Sequence, residues 1–199
     1  MDWTVFHALN GVLRGNDGGQ DAAVAFNATA IFVLVAVAGL LWFVARPGGS
    51  LRPKIAAVSA AAAAALALLA NVVLGALWYQ SRPFVGHPHQ TVLLVPHAAD
   101  NSFPSDHASV AFAIAFAVVV VYRRFGLVLV VAAAAIAIDR VFVGVHYPVD
   151  IVASLLVGLS AALVVAVAGR GVILWAVERL SRLTDPVVVA VRDAVGRRG

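Results

Sequence analysis

Three short stretches of the chain hold polar residues whose types and spacing could do chemistry. In Asp139–Asp150, His146 precedes Asp150 by four residues and follows Arg140 by six. Pro148 suits the first turn of a helix, where its missing N–H costs little, so Asp150 falls in that turn. A carboxylate at this spacing can hydrogen-bond one imidazole nitrogen, fix the tautomer and leave the other nitrogen as a nucleophile or base. The arginine fork beside them suits phosphate oxygens. In the second stretch, Phe103–His107, residues Pro104, Ser105 and Asp106 lead into an apolar run. A helix start there presents free backbone N–H groups and a positive end. Ser105 adds a hydroxyl donor, and His107 is able to protonate a leaving oxygen. The third stretch, Ser81-Arg82-Pro83-Phe84, supplies another guanidinium. Together these groups point to phosphoryl transfer at an anion site without a metal, because two guanidiniums repel a cation.

Each piece also has a plainer reading. Arg82 can be an interfacial anchor at a helix end. His146 and Asp150 can form a structural hydrogen bond or half of a metal site. Asp106 can be a helix N-cap, and Asp139 an ion-pair neighbour of Arg140. His87, His89 and His97 read as solvated loop residues, and His7 as an interfacial one. The catalytic reading rests on all three stretches occurring together.

The elements that must position these residues are visible as apolar runs. Roughly 20 apolar residues carry a helix across the bilayer core. Five stretches are candidates: Ala22–Ala45, Ile55–Tyr79, the shorter His107–Tyr122, Phe125–Val145 and Pro148–Gly169. The alanine run Ala60–Ala65 predicts close helix packing. Trp3, Val5, Phe6, Leu9 and Leu13 share a face of a short interfacial helix over Asp2–Arg14. The N-terminus lacks the basic region of a signal peptide, and its first long apolar run is too long for one. Val172–Arg198 is too charged to span and reads as an amphipathic surface tail. Trp42, Trp78, Tyr79 and Tyr122 stand at span ends, as membrane-interface aromatics do. The expected fold is all-α: an integral-membrane bundle of five transmembrane helices with interfacial amphipathic helices at both ends. Its expected division is one domain over 1–199, with the N-terminal helix in 1–21, the membrane core in 22–169 and a cytoplasmic tail in 170–199.

Composition narrows the class. Of 199 residues 62% are hydrophobic and 12% charged, with a mean hydropathy of +0.96. No soluble core of this size hides so much apolar surface, and disordered chains, secreted disulfide scaffolds and nucleic-acid binders fit poorly. The absence of cysteine removes thiolate metal sites and thiol nucleophiles. With five spans, Arg46, Arg52, Lys54, Arg123, Arg124, Arg170, Arg179, Arg182, Arg192, Arg197 and Arg198 fall on one side, and Arg14, Arg82 and Arg140 on the other. The positive-inside rule makes the richer side cytoplasmic, which puts the N-terminus, Gln80–Asp106 and Arg140–Asp150 outside. The basic tail then suits a membrane surface, with no nucleic acid as partner. The bias to arginine and alanine is that of a high-GC bacterial genome.

At these residues the sequence resembles the type 2 phosphatidic acid phosphatase superfamily of membrane lipid phosphatases. The signature of that superfamily is Lys-x6-Arg-Pro, Pro-Ser-Gly-His and Ser-Arg-x5-His-x3-Asp. Arg82-Pro83 matches the end of the first part. Pro104-Ser105-Asp106-His107 matches the second, with Asp in the Gly place. Arg140, His146 and Asp150 match the third, with Asp139 where Ser is usual. The resemblance implies that His146 attacks phosphorus to form a phosphohistidine and that Asp150 orients it. It implies that His107 protonates the leaving group and then activates water, while Arg82, Arg140, Ser105 and Asp106, with nearby backbone amides, bind phosphate. No cofactor or metal is implied. Phe103–Ala108 and Val5–Gly11 look like the bacitracin-resistance type of undecaprenyl diphosphatase, which recycles the polyprenyl carrier of cell-wall synthesis at the outer face. One position departs from the pattern: Gly75 stands where the first motif has lysine. His87, His89 and His97 are the loop residues available to substitute for it.

The expected activity is therefore hydrolysis of a polyprenyl diphosphate to the monophosphate at the outer face of a bacterial plasma membrane. The expected partners are that lipid phosphate and the bilayer. The rival readings are a phosphatase of phosphatidic acid, phosphatidylglycerophosphate or a prenyl-phosphosugar phosphate, and a non-catalytic lipid-binding or transport protein of the same fold.

Overall fold

In the computed structural model, residues 2–45 and 48–196 are described, with side chains up to Val191. Arg46, Arg197, Arg198 and the side chain of Arg192, all counted above on the basic side, lie outside the described residues. The chain forms α1 (Asp2–Gly11), α2 (Asp17–Val44), α3 (Arg52–Leu77), α4 (Pro83–Gly86), α5 (Asp106–Val121), α6 (Arg123–Phe142), α7 (Pro148–Val167) and α8 (Arg170–Gly196). Among the described residues there is no strand, only an isolated bridge between Ser81 and Asn101.

Four helices, α2, α3, α6 and α7, are long and apolar enough to cross a membrane, and α5 is a shorter apolar helix. The stretch expected as a third span is thus 16 residues long, about 24 Å at the α-helical rise. Its position explains its length. α5 packs against α3, α6 and α7, and Ala108, Ala111, Ala113, Ala115 and Val118 are fully enclosed. A helix walled in by other helices need not match the lipid thickness. The outer helices instead expose Phe32, Val72 and Val131, the apolar exterior that a bilayer requires.

Small residues set the spacing. Ala56, Ala60, Ala63, Ala67 and Asn71 make one buried stripe along α3, which bears out close packing of the alanine run. On α7, a Cβ at Gly158 would stand 2.6 Å from the Phe112 Cβ, so the missing side chain lets α7 lie on α5.

The terminal helices differ in detail from expectation. α2 opens at Asp17, because Asn16 caps it by accepting from the Gly19 N–H at 3.0 Å. α1 buries Phe6 and Asn10 and leaves Val5 exposed. It packs on α6 and α7, with Phe6 against Val141 and Tyr147. α8 buries Ile173 and Val177 against the bundle. Further along it, Ser181 and Asp185 take the Lys54 Nζ at 3.0 and 2.5 Å.

Candidate active site

The helices alternate in direction, so the α3 C-terminus, the α5 and α7 N-termini and the α6 C-terminus meet at one end of the bundle. Asn101 stitches the returning loop to α3. Its amide nitrogen donates to the Gly75 and Trp78 carbonyls at 2.9 and 2.8 Å, and its oxygen accepts from Gln80 and Phe103 N–H groups at 3.0 and 3.1 Å. The connection from α6 to α7 turns at Gly144, at φ +87°, where a Cβ would stand 2.4 Å from the Val92 carbonyl oxygen. Only glycine suits both that conformation and that approach.

His146 lies in this connection, 3% exposed. Its Nδ1 is 3.4 Å from Asp150 Oδ2 and its Nε2 is 3.3 Å from Arg82 Nη1. A carboxylate accepts and a guanidinium donates, so the hydrogen sits on Nδ1 and the lone pair on Nε2. Asp150 is fixed as a first-turn residue of α7. Its Oδ2 also accepts from the Tyr147 N–H at 2.9 Å and from the Ser102 hydroxyl at 2.5 Å, while its Oδ1 is buried without a partner. Burial, then the charges of Arg140, Arg82 and His97, hold the His146 imidazole well below its ordinary pKa. The neutral ring that a nucleophile needs is thereby favoured.

Arg82 is 5% exposed and held on three sides. Nε donates to Asp100 Oδ1 at 2.6 Å, Nη1 to the Val145 carbonyl at 3.0 Å and Nη2 to the Asn101 carbonyl at 3.2 Å. Arg140 is also buried. Its Nη1 donates to Asn27 Oδ1 at 3.0 Å, and Asn27 Nδ2 donates in turn to Asp139 Oδ2 at 2.8 Å. An amide from α2 thus sits between the two charges expected to neighbour each other. Arg140 Nε is buried without a protein partner.

At the start of α5, Ser105 takes the N-cap position without a side-chain cap bond. Its backbone is pinned by Ser154, whose hydroxyl accepts from the Ser105 N–H at 2.9 Å and donates to its carbonyl at 3.0 Å. The Ser105 hydroxyl is buried and unpartnered. Asp106 is therefore not the cap. It is exposed and accepts from Asn71 Nδ2 at 2.7 Å, while Asn71 Oδ1 accepts from Ser109 at 3.1 Å. This buried asparagine ties α3 to the first turn of α5. His107, half-buried one residue on, lies within electrostatic range of Arg140, Asp106 and His97.

The loop histidines separate. His87 stacks on Trp3 at 3.6 Å and His89 is exposed. The His97 ring stands edge-on to that of His146, with centroids 6.4 Å apart. At Gly75, a Cβ would make ordinary contacts with Asn101 Nδ2 at 3.4 Å and the Phe103 carbonyl at 3.5 Å. Sequence reasoning missed Ser102, Asn27, Asp100, Asn101 and Ser154. For Asn27 a signal existed, a lone amide in an apolar span. For Ser102 nothing in the spacing marked it.

This end of the bundle thus gathers a buried imidazole with a free lone pair directed at Arg82, the second guanidinium of Arg140, the unpartnered Ser105 hydroxyl and the α5 N-terminus. Its donor set suits a tetrahedral oxyanion that accepts a nucleophile.

Comparison with known proteins agrees with this chemistry. A family model described as the PAP2 superfamily matches residues 56–172. Undecaprenyl-diphosphatase BcrC of Bacillus subtilis (strain 168) is 31% identical over 159 residues, 80% of this chain and 79% of that protein. YbjG of Escherichia coli (strain K12), named provisionally as an undecaprenyl-diphosphatase, is 37% identical over 147 residues, 72% of this chain and 73% of its own. Among solved structures, Aquifex aeolicus LpxE superposes with a TM-score of 0.66 over 82% of this chain and 93% of its own, at 23% identity. That likeness concerns the fold.

Proposed function

Because the chain belongs to the PAP2 superfamily of membrane phosphatases, we propose that it hydrolyses a polyprenyl diphosphate to the monophosphate and inorganic phosphate, at the extracytoplasmic face and through a phosphohistidine at His146. The observation that carries this reading is the His146 ring, held between Asp150 and Arg82 with its Nε2 lone pair directed at a guanidinium. The relatives named for undecaprenyl diphosphate support that substrate.

In this reading Arg82 Nη1 leaves Nε2 for a phosphate oxygen as substrate enters. Nε2 attacks the terminal phosphorus and the bond to the bridging oxygen breaks. His107 gives that oxygen a proton, and the prenyl monophosphate leaves. The Asp150 carboxylate steadies the imidazolium character that develops at Nδ1. His107 then takes a proton from water, whose oxygen attacks phosphorus, and the P–N bond breaks to release phosphate. Arg140 Nε and the Ser105 hydroxyl are unpartnered donors available to the equatorial oxygens, as are the backbone N–H groups of Asp106 and His107. Buried donors held ready in this way stabilise developing charge without reorganising, and such stabilisation usually dominates catalysis of this kind. The Asp106 carboxylate itself stays on Asn71. α5 acts as the fifth span, and the lipid tail stays in the bilayer while its headgroup enters between helix ends.

The test uses purified protein in detergent with EDTA. Phosphate release is followed from polyprenyl diphosphate, phosphatidic acid, phosphatidylglycerophosphate and a prenyl-phosphosugar phosphate. We expect the diphosphate to be preferred, and terminally labelled substrate to leave acid-labile label on wild-type protein but none on His146→Ala. Preference for another lipid replaces the substrate. Turnover by His146→Ala, or loss of activity in EDTA, removes the mechanism. No release from any lipid favours a binding protein.

A further inference from the structure

We infer that His97 is a substrate-contacting residue, an imidazole that takes up a proton as phosphate binds and adds a third positive charge to the Arg82–Arg140 anion site. The inference rests on the phosphatase reading above and adds to it a residue that the three motif stretches do not contain.

The His97 and His146 ring centroids are 6.4 Å apart with planes at 79°, so a phosphate held against His146 and Arg82 is beside His97 as well. The His97 side chain is 25% exposed, less than expected of a solvated loop residue. Its Nδ1 lies 3.2 Å from the Ala98 carbonyl, an acceptor only, so Nδ1 carries the hydrogen and Nε2 is the nitrogen that titrates. Asp100 Oδ1 is 3.9 Å from Nδ1 and bonds Arg82 Nε at 2.6 Å. One carboxylate therefore links the loop imidazole to the guanidinium facing the nucleophile.

The charged and titratable groups around His97 come from every element that surrounds it. Asp100 belongs to its own loop, Arg82 to the entry of α4, Arg140 to α6, His107 to α5 and His146 to the α6–α7 connection. Burial, then the Arg82 and Arg140 charges, keep the free His97 imidazole below its ordinary pKa, so it is neutral near pH 7. A phosphate bound to those two arginines neutralises the charges that opposed protonation, and its oxygens accept from the new Nε2–H. Anion binding and proton uptake are then linked. The chain has glycine at position 75, so it carries no permanent ammonium there, and a titratable imidazole serves in its stead.

The experiment compares the full chain in detergent as wild type, His97→Gln and His97→Lys. It measures KM for polyprenyl diphosphate and the competitive inhibition constant of inorganic phosphate between pH 5.5 and 8.5. At pH 6, His97→Gln is expected to raise both by about tenfold, the scale of one lost hydrogen bond to a charged group. His97→Lys is expected to return both to within about threefold of wild type. The wild-type inhibition constant divided by that of His97→Lys should fall as pH falls, because the titration of phosphate itself cancels in the ratio. Unchanged phosphate affinity in His97→Gln overturns the inference, and so do equal losses in His97→Gln and His97→Lys. Wild-type protein that cleaves no lipid but binds inorganic phosphate in titration calorimetry, with the same pH dependence and the same loss in His97→Gln, would sink the phosphatase reading and leave His97 standing. Turnover with an unmoved inhibition constant would do the reverse.

Discussion

Asn27 bears on the site as much as the charged residues do. Its amide accepts from Arg140 and donates to Asp139, so it satisfies two buried charges while holding them apart. A leucine there has nearly the same volume but leaves both groups without their shared partner. Leaving buried polar groups unpaired costs about 1–3 kcal/mol, so Asn27→Leu is expected to lower kcat/KM by about ten- to a hundredfold. Steady-state phosphate release measures this, and a wild-type value would show that Arg140 is held by other means. Arg140, His146 and Asp150 were legible in the sequence because they lie within one turn-and-helix segment, where spacing translates into proximity. Arg82 and His107 were legible through their prolines and helix ends. Asn27 and Ser102 were not, because Asn27 reaches Asp139 across 112 residues and Ser102 reaches Asp150 across 48. Only packing brings those pairs together.

Among the elements, the apolar runs placed the long helices well, since length and hydropathy are local quantities. The docking of α1 was less visible. Its apolar spacing suggested a helix lying in the interface, yet Asn10 is buried. Asn10 Nδ2 donates to the Val92 and Phe142 carbonyls at 2.8 and 2.9 Å, and Asn10 Oδ1 accepts from the Val92 N–H at 2.8 Å. α1 thus clasps the loop before α5 to the end of α6. Gly144 is the other half of that clasp. Its neighbour Val143 accepts from the Leu94 N–H at 3.1 Å, and a Cβ at 144 would collide with the Val92 carbonyl. Gly144→Ala is expected to cost about 1–3 kcal/mol through its left-handed backbone alone. It is further expected to push the Val92 stretch of the loop off the α6–α7 connection that carries His146. Thermal unfolding in detergent should show the lower midpoint together with a loss of turnover. His146→Ala is the control, expected to lose turnover whatever its midpoint, because it removes the imidazole itself. A Gly144→Ala protein with both properties intact would mean that the clasp does not hold His146.

At the scale of the whole molecule, the two ends of the bundle differ in charge. Of the three basic residues at the site end, Arg82 and Arg140 are buried in the site, which leaves Arg14, bonded to the Gln90 carbonyl, as the basic residue on that surface. The opposite end carries Arg52, Arg123, Arg124 and Arg170. There Lys54 is spent on holding α8 through Ser181 and Asp185, and Arg179 on that helix is exposed. The positive-inside rule predicts that the more basic end faces the cytoplasm, in keeping with the extracytoplasmic site proposed above. The chain contains no cysteine, so a single introduced thiol reports its own side without background. His89 is exposed on the site-end loop and Arg179 on α8, and neither contributes to the site chemistry. With a membrane-impermeant maleimide on intact cells, His89→Cys is expected to label at once and Arg179→Cys only after the membrane is permeabilised. The reverse pattern would turn the site toward the cytoplasm. A lipid product made on the outer leaflet would then be excluded, whatever the chemistry at His146.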